Sequence, residues 1–194
     1  MLEELFVSRV RVKLLQLFLT NPAGLFHVRE IVRRVDEEIN AVRRELARME
    51  KFGMVASEWR ANRRLYRFRK DYIFYQELLR LVTKTSGLGG GIIKKRQNLG
   101  KVKFAFLATR FLEGRVDNDN VDLLIVGQIV LPELQAIIAD EQTKMEAEIN
   151  YSYMDLAEFQ FRVRRRDPFI LRVLTQSKVM LFGTEEELLE GVII

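Results

Sequence analysis

The segment from residue 40 to residue 52 constrains the fold more than any other part of the chain. Its apolar side chains recur at Val42, Leu46 and Met49, which is the i, i+4, i+7 spacing of one buried helical face. Gly53 follows, and glycine commonly ends a helix because it adopts positive φ at little cost. The segment therefore predicts a helix that packs one face against a core and presents the other to its surroundings.

The exposed face of this helix and the segment that follows it are both basic. At about 100° per residue, the side opposite the apolar stripe carries mostly polar and cationic residues. These are Asn40, Arg44, Ala47, Arg48 and Lys51, with Arg43 on the flank. Two segments of strand-like composition follow, residues 55–59 and 65–68, around a polar turn at 60–64. The arginines of that turn are Arg60, Arg63 and Arg64. A helix, a glycine and a hairpin with a basic turn are predicted.

Two helices are predicted upstream. Residues 2–19 fit an amphipathic helix, in which we expect Arg11 and Lys13 to face solvent or phosphate. Residues 28–35 fit a short second helix, and the acidic turn 36–38 suits the positive end of the dipole of the third helix. Three helices with a tight turn between the second and third form a helix-turn-helix, whose last helix enters the major groove of DNA.

Charge and composition narrow the classes of function. Residues 1–100 carry 21 Lys and Arg against 11 Asp and Glu, net +10, whereas residues 101–194 carry 11 against 16, net −5. A basic front half favours a nucleic-acid partner. The chain has no cysteine, and its single histidine, His27, is expected to cap the second helix or lie on the surface rather than bind a metal. With no signal-like start and no 18-residue apolar run, we expect a cytoplasmic protein without a membrane partner.

Residues 5–70 resemble the winged-helix repressors whose best-known members sense arsenic and other metals, above all at residues 40–46 and 52–55. The resemblance implies a homodimer that reads palindromic double-stranded DNA, with the helix at 74–85 packed on the DNA-binding domain and contributing to the dimer. The metal-sensing members depend on Cys or His clusters, which this chain lacks, so DNA binding is implied without a metal response. The residues expected to contact DNA are Asn40, Arg43, Arg44, Arg48, Lys51, Arg60, Arg63 and Arg64.

A glycine-rich stretch at residues 86–91 predicts a domain boundary. It also resembles a phosphate-binding loop, but no Gly-Lys-Ser/Thr follows it and no apolar strand precedes it, which favours a linker. We therefore expect a winged-helix domain at 1–86, a glycine-rich linker with a short helix at 87–100, and a second domain at 101–194.

The second domain alternates strands with helices. Predicted strands are 102–108, 121–126, 149–154 and 179–182, and predicted helices are 131–145, 156–164, 168–174 and 185–190. The second of these strands is apolar on both faces, which is typical of a helix-covered sheet. The predicted fold class is α+β in two domains: a winged helix-turn-helix, and an α/β domain with a small mixed sheet.

Residues 104–111, 113–115 and 120–127 resemble the core of the small nucleotidyltransferases related to DNA polymerase beta. In that family a strand leads into Gly-Ser, and Asp-x-Asp on the next strand holds Mg²⁺ against the nucleotide phosphates, since alternate strand positions point the same way. Here Thr109 and Arg110 stand at the Gly-Ser positions and Asn120 at the first carboxylate, so Asp122 alone remains as a metal ligand. The resemblance implies the fold without its catalysis, and without bound Mg²⁺ or nucleotide.

Three functional readings follow. The first is a DNA-binding transcriptional regulator whose inactive second domain serves as an effector or dimerisation module. The second is an active nucleotidyltransferase, toxin–antitoxin-like or protein-modifying, with Mg²⁺, nucleotide and an autoregulatory winged helix; Asp117, Asp119 or Glu148 would then complete its site. The third is a regulator that senses a nucleotide or another small molecule without turnover. The arginine run at 162–166 fits either a solvated helix end or a contact with phosphate.

Overall fold

The computed structural model of the chain describes residue 2, residues 6–114 and residues 120–190. The chain divides into two compact units, Met1–Ser86 and Gly87–Ile194. Each contains one small sheet together with helices, so the predicted α+β class is confirmed. None of the helices in the described ranges combines the length and the apolar character that a membrane span requires.

Three helices open the first unit: α1 (Arg9–Leu19), α2 (Val28–Val35) and α3 (Ile39–Lys51). The first begins later than predicted because Ser8 caps it, its Oγ accepting the amide N–H of Arg11 at 3.2 Å; the predicted helical residues 3–5 lie outside the described part of the chain. The second has the predicted bounds. His27 caps it, its Nδ1 accepting the amide N–H of Arg29 at 3.3 Å, which confirms the predicted capping role.

A three-stranded antiparallel sheet follows, made of β1 (Phe26–His27), β2 (Val55–Arg60) and β3 (Arg63–Phe68) in the order β1-β3-β2. The hairpin between β2 and β3 turns on Ala61 and Asn62 alone, both at positive φ (43° and 60°). Such two-residue turns match the right-handed twist of the flanking strands. The turn is therefore shorter than the predicted 60–64, and its three arginines lie in the strands.

Aromatic rings join the helices and the sheet of this unit. The ring of Phe18 lies 5.9 Å from that of Phe26 and 6.4 Å from that of Phe68, and Phe68 lies 6.0 Å from Tyr75. Tyr75 begins α4 (Tyr75–Thr85), which buries its predicted apolar stripe. Helices α1 and α4 and the sheet thus share one aromatic core, and α3 packs against α1, α2 and β2.

The second unit is a mixed sheet covered by helices. Its elements are α5 (Gly87–Lys94), β4 (Gly100–Ala108), α6 (Thr109–Leu112), β5 (Leu123–Ile129), α7 (Leu131–Met145), β6 (Tyr151–Met154), α8 (Leu156–Arg164), α9 (Pro168–Thr175), β7 (Lys178–Phe182) and α10 (Glu185–Leu189). The strand order is β6-β5-β4-β7, with β5 and β6 parallel and the other neighbours antiparallel. Along β5 the buried residues alternate between the two apolar cores on either side of the sheet, as its composition predicted.

The predicted boundary after residue 86 and the predicted short helix are present: the second unit begins at Gly87, and Gly87–Lys94 forms α5. The prediction of a flexible linker is wrong for these residues. Leu88 and Ile92, four residues apart, are buried in the same core as α7, and their burial favours the helix over a flexible chain. The glycines permit a close approach: a Cβ on Gly91 would stand 3.4 Å from Cγ2 of Ile137. The composition typical of a linker here serves helix–helix packing.

Candidate functional site

Helix α3 presents the two faces that its sequence predicts. Val42, Leu46 and Met49 are buried. The predicted opposite face is exposed throughout: Asn40, Arg43, Arg44, Ala47, Arg48 and Lys51. Within the described residues, Arg43, Arg44 and Lys51 form no ion pair, so their charges are available to an external anion.

Glu38 fixes the N-terminus of this helix. Its carboxylate accepts the amide N–H groups of Asn40 at 2.8 Å and Ala41 at 2.9 Å. These hydrogen bonds, that of Asn40 first, hold the pKa of the Glu38 carboxyl below its ordinary value. The expectation that an acid of the 36–38 turn lies at the positive end of the helix is confirmed, and the cap places Asn40 at the first turn of the exposed face.

The expectation that Arg11 faces solvent or phosphate is wrong. Its Nε lies 2.5 Å from Oε1 of Glu45, a residue of α3 that is only 3% exposed. Ser8 Oγ donates to the other carboxylate oxygen at 3.2 Å, and Arg48 Nη1 lies 3.6 Å from it. Glu45 therefore ties α1 to α3. The signal in the sequence was an acidic residue between Val42 and Met49 on the apolar face, where a charge requires a partner from another element.

Lys13 is likewise not available to phosphate. Its Nζ donates to the backbone carbonyls of Val35 at 2.8 Å and Asp36 at 3.3 Å, and lies 2.7 Å from the carboxylate of Glu37. Lys13 thereby satisfies carbonyls at the C-terminal end of α2 that have no partner within the helix. A lysine of α1 therefore holds the turn between α2 and α3. The angle between α2 and α3 thus depends on α1 as well.

The predicted arginines of the hairpin differ in their contacts. Arg60 pairs with Glu58 on its own strand. Arg63, next to the turn and exposed, forms no ion pair with the described residues. Arg64 points toward α3, where its Nη2 lies 2.7 Å from Oε2 of Glu50, so a free phosphate-binding role for Arg64 does not fit its surroundings.

Arg64 belongs to a closed network between the hairpin and α3. Its Nε donates to Ser57 Oγ at 2.9 Å, and that hydroxyl donates to Oε1 of Glu50 at 2.5 Å. Its guanidinium also lies 5.3 Å from the ring centroid of Tyr66, within the range of cation–π attraction. The side chains of Arg64, Ser57 and Glu50, together with the ring of Tyr66, therefore set the position of the hairpin relative to α3.

Two further cations at the base of the hairpin were not predicted from the sequence. Arg67 and Lys70 are exposed and line an open groove with Pro22 and Ala56. Between them Arg69 pairs with Asp71 at 2.6 Å. The alternation of Arg63 and Arg67 along one strand was the available signal, since residues two apart on a strand face the same way.

In the second unit, Asp122, which stands at a metal-ligand position of the family that the sequence resembles, contacts an arginine. The carboxylate is buried, at 6% exposure. Its Oδ1 accepts Nη2 of Arg110 at 3.1 Å, and its Oδ2 accepts the amide N–H of Asn150 at 2.9 Å. Gln176 supports the arginine, its Oε1 lying 3.5 Å from Nε. Both carboxylate oxygens are therefore engaged by donors of the chain itself.

Two other residues of the nucleotidyltransferase-like pattern, Thr109 and Asn120, lie within the described part of the chain. Thr109 opens α6 and its amide N–H donates to the carbonyl of Ser177 at 2.8 Å. Asn120 precedes β5, while Asp117 and Asp119 lie outside the described residues. Among the residues that are described, no cluster of three His, Asp or Glu side chains is placed to hold a metal ion.

No family model, curated protein or solved structure matches the chain. Its function is therefore inferred from the geometry of its own residues.

Proposed function

We propose that the chain is a DNA-binding transcriptional regulator whose first unit acts as a winged helix. The observation that carries the proposal is the exposed cationic face of α3, beside a hairpin with another arginine next to its turn. A helix of this kind fits the major groove, and a basic hairpin can reach the adjacent minor groove. Arg43, Arg44 and Lys51 form no ion pair with any residue that the structure describes, so this face keeps an exposed positive charge.

The proposed roles follow from position on the helix. Asn40, Arg43 and Arg44 lie on the first two turns of α3, where a recognition helix meets base edges. Asn pairs with adenine and Arg with guanine through two hydrogen bonds each. Arg48 and Lys51 lie further along and would neutralise backbone phosphates. These last contacts orient the helix and carry no sequence information.

On the hairpin, we assign phosphate or minor-groove contact to Arg63. Arg64 is reassigned as a positioning residue, because its guanidinium is engaged by Glu50 and Ser57. Arg60 retains a contact role only where DNA displaces it from Glu58. The hairpin would then make fewer direct contacts with DNA than we expected from its three arginines. Its position relative to α3 would be more rigidly fixed.

For the second unit we propose a nucleotidyltransferase-like domain without catalysis. The guanidinium of Arg110 next to Asp122 supports this, because it supplies positive charge beside the carboxylate but donates hydrogen bonds and cannot coordinate phosphate oxygens as a divalent ion does. The unit would serve as an effector or dimerisation module of a homodimer that reads a palindromic operator.

Fluorescence anisotropy tests the proposal directly. The full chain would be titrated onto a labelled fragment from upstream of its own gene and onto unrelated DNA, over a salt series. We expect tighter binding to the upstream fragment and a steep fall of affinity with salt. Loss of one good base contact through Arg44→Ala is expected to weaken specific binding about tenfold and to reduce the preference between fragments.

The matched control is Arg80→Ala, which removes the same charge from the exposed side of α4. It should bind both fragments nearly as the unmodified protein does. Equal effects of Arg44→Ala and Arg80→Ala would remove α3 as the reading element. Failure of the unmodified chain to bind either fragment at low salt would overturn the proposed function altogether.

A further inference from the structure

A cleft in the second unit has the size and lining of a small-molecule site. It lies among β4, α8 and α10 and has a volume of about 340 Å³. Phe104, Phe159, Val163 and Leu188 form its apolar wall. Ligand sites begin at about 300 Å³ and are mostly apolar with a few polar groups that orient the ligand. The cleft therefore fits a small molecule with an apolar body.

A β-bulge brings a cation to the same cleft. Neighbouring strand residues normally face opposite sides of a sheet, yet Lys103 and Phe104 both line the cleft. The pairing of β4 with β5 shifts between Val102 and Phe104, and such bulges re-aim a side chain. Gly127 makes the bulge possible: a Cβ there would stand 2.3 Å from the carbonyl oxygen of Lys101.

Of the two cations that line the cleft, Lys103 pairs with an acid and Arg164 has no ion pair among the residues that the structure describes. Lys103 Nζ lies 3.9 Å from Glu187, so these two charges largely offset each other. Arg164 also lines the cleft and forms no ion pair with the described residues. It is the first of three consecutive arginines, Arg164, Arg165 and Arg166. These arginines have no role in the proposed DNA binding. Glu190 is the opposing charge at the rim.

We propose that this cleft binds a small amphipathic carboxylate, with the carboxylate at Arg164 and the apolar body against Phe104 and Phe159. The site is separate from the Arg110–Asp122 pair. Ala108, whose amide N–H donates to the carbonyl of Asp122 directly before β5, lies five residues beyond Lys103 on β4, about 16 Å along the strand. The inference concerns binding alone and does not depend on DNA recognition.

Competition against a fluorescent probe tests the site in the full chain. Anilinonaphthalene sulfonate, an aromatic anion, is the reporter, and octanoate and octanol are the competitors. We expect one probe site per chain, displaced by octanoate and not by octanol at equal concentration, because only octanoate carries the charge that Arg164 recognises. Shortening the acid from octanoate to hexanoate should weaken it about fourfold for each methylene lost.

Variants assign the charge to one side chain. Arg164→Gln is expected to weaken octanoate about tenfold, which is the usual effect of losing a charged hydrogen-bond partner. Arg162→Gln is the matched control on the same helix, since Arg162 pairs with Glu158 and does not line the cleft. Glu190→Gln should strengthen binding, because it removes the repelling charge.

Filling the cleft through Gln160→Trp, at an exposed lining position, should abolish displaceable probe binding while the circular dichroism spectrum stays that of the folded chain. The proposal is overturned if octanol competes as well as octanoate, if Arg162→Gln and Arg164→Gln have equal effects, or if the folded protein binds no probe.

Discussion

Substitutions of two adjacent arginines of the hairpin should differ in their effect on the salt dependence of DNA binding. Arg63 is exposed without an ion pair among the described residues, whereas Arg64 is engaged by Glu50 and Ser57. A cation that neutralises one phosphate contributes about 0.9 to the slope of log affinity against log salt. We expect Arg63→Gln to lower the magnitude of that slope by about 0.9, which between 50 and 200 mM salt is about a 3.5-fold change in relative affinity.

For Arg64 the expected effect is on affinity rather than on slope. The side chains of Arg64 and Glu50 are 41% and 31% exposed, so their network is worth about 1 kcal/mol after screening by solvent. If that energy holds the hairpin in its binding position, its loss weakens DNA binding about fivefold at every salt concentration. The double variant Glu50→Gln with Arg64→Gln keeps the net charge unchanged and should keep the slope of the unmodified protein.

The assay is anisotropy on the upstream fragment for the unmodified chain, the Arg63 variant and the charge-neutral double variant. Each titration is repeated at four or more salt concentrations. The reasoning is refuted if the double variant lowers the slope as much as Arg63→Gln does, because Arg64 would then contact a phosphate. An unchanged slope for Arg63→Gln would remove that residue from the interface.

Three further outcomes are expected. Glu45→Ala leaves Arg11, whose side chain is 29% exposed, without its buried partner and should destabilise the first unit by about 2 kcal/mol, measured by hydrogen exchange of the α3 amides. Glu30→Ala, which breaks an exposed pair with Arg34, should cost less than about 0.5 kcal/mol. In calorimetry, ATP should give no binding heat that depends on Mg²⁺. A Mg²⁺-dependent heat that is lost in Asp122→Ala would instead support the transferase hypothesis. Burial raises the pKa of the half-buried Glu141 carboxyl. Protonated Glu141 should therefore contribute most to the free energy of unfolding below its ordinary pKa of about 4.5. That contribution should be lost as the pH rises through the raised pKa. Glu141→Gln should remove that pH dependence from thermal unfolding, and an unchanged profile would contradict it.

Local patterns predicted the helices well because burial follows helical periodicity. The bounds of α2, and the buried and exposed faces of α3, agree with their sequence patterns, since Val42, Leu46 and Met49 can share one face only in a helix of 3.6 residues per turn. The hairpin was also predicted, although its turn is shorter. Its two residues at positive φ are Ala61 and Asn62, and alanine is not a usual signal for that conformation.

Contacts between distant elements could not be predicted from the same patterns. Arg11 and Lys13 are exposed by helical periodicity alone, and their partners lie 20 or more residues away on elements whose packing the sequence does not reveal. The substitution of Arg110 in the nucleotidyltransferase-like pattern was visible in the sequence. Its contact with the carboxylate of Asp122, 12 residues further along the chain, required the structure.

The hairpin also gives the protein an optical label. Trp59 is the single tryptophan of the chain, is 71% exposed, and lies opposite Arg64 on the neighbouring strand. Because no indole is present in the second unit, tryptophan emission reports on the hairpin alone in the intact chain. Stopped-flow mixing with unlabelled DNA can therefore measure the rate at which the hairpin contacts DNA, independently of changes in the second unit.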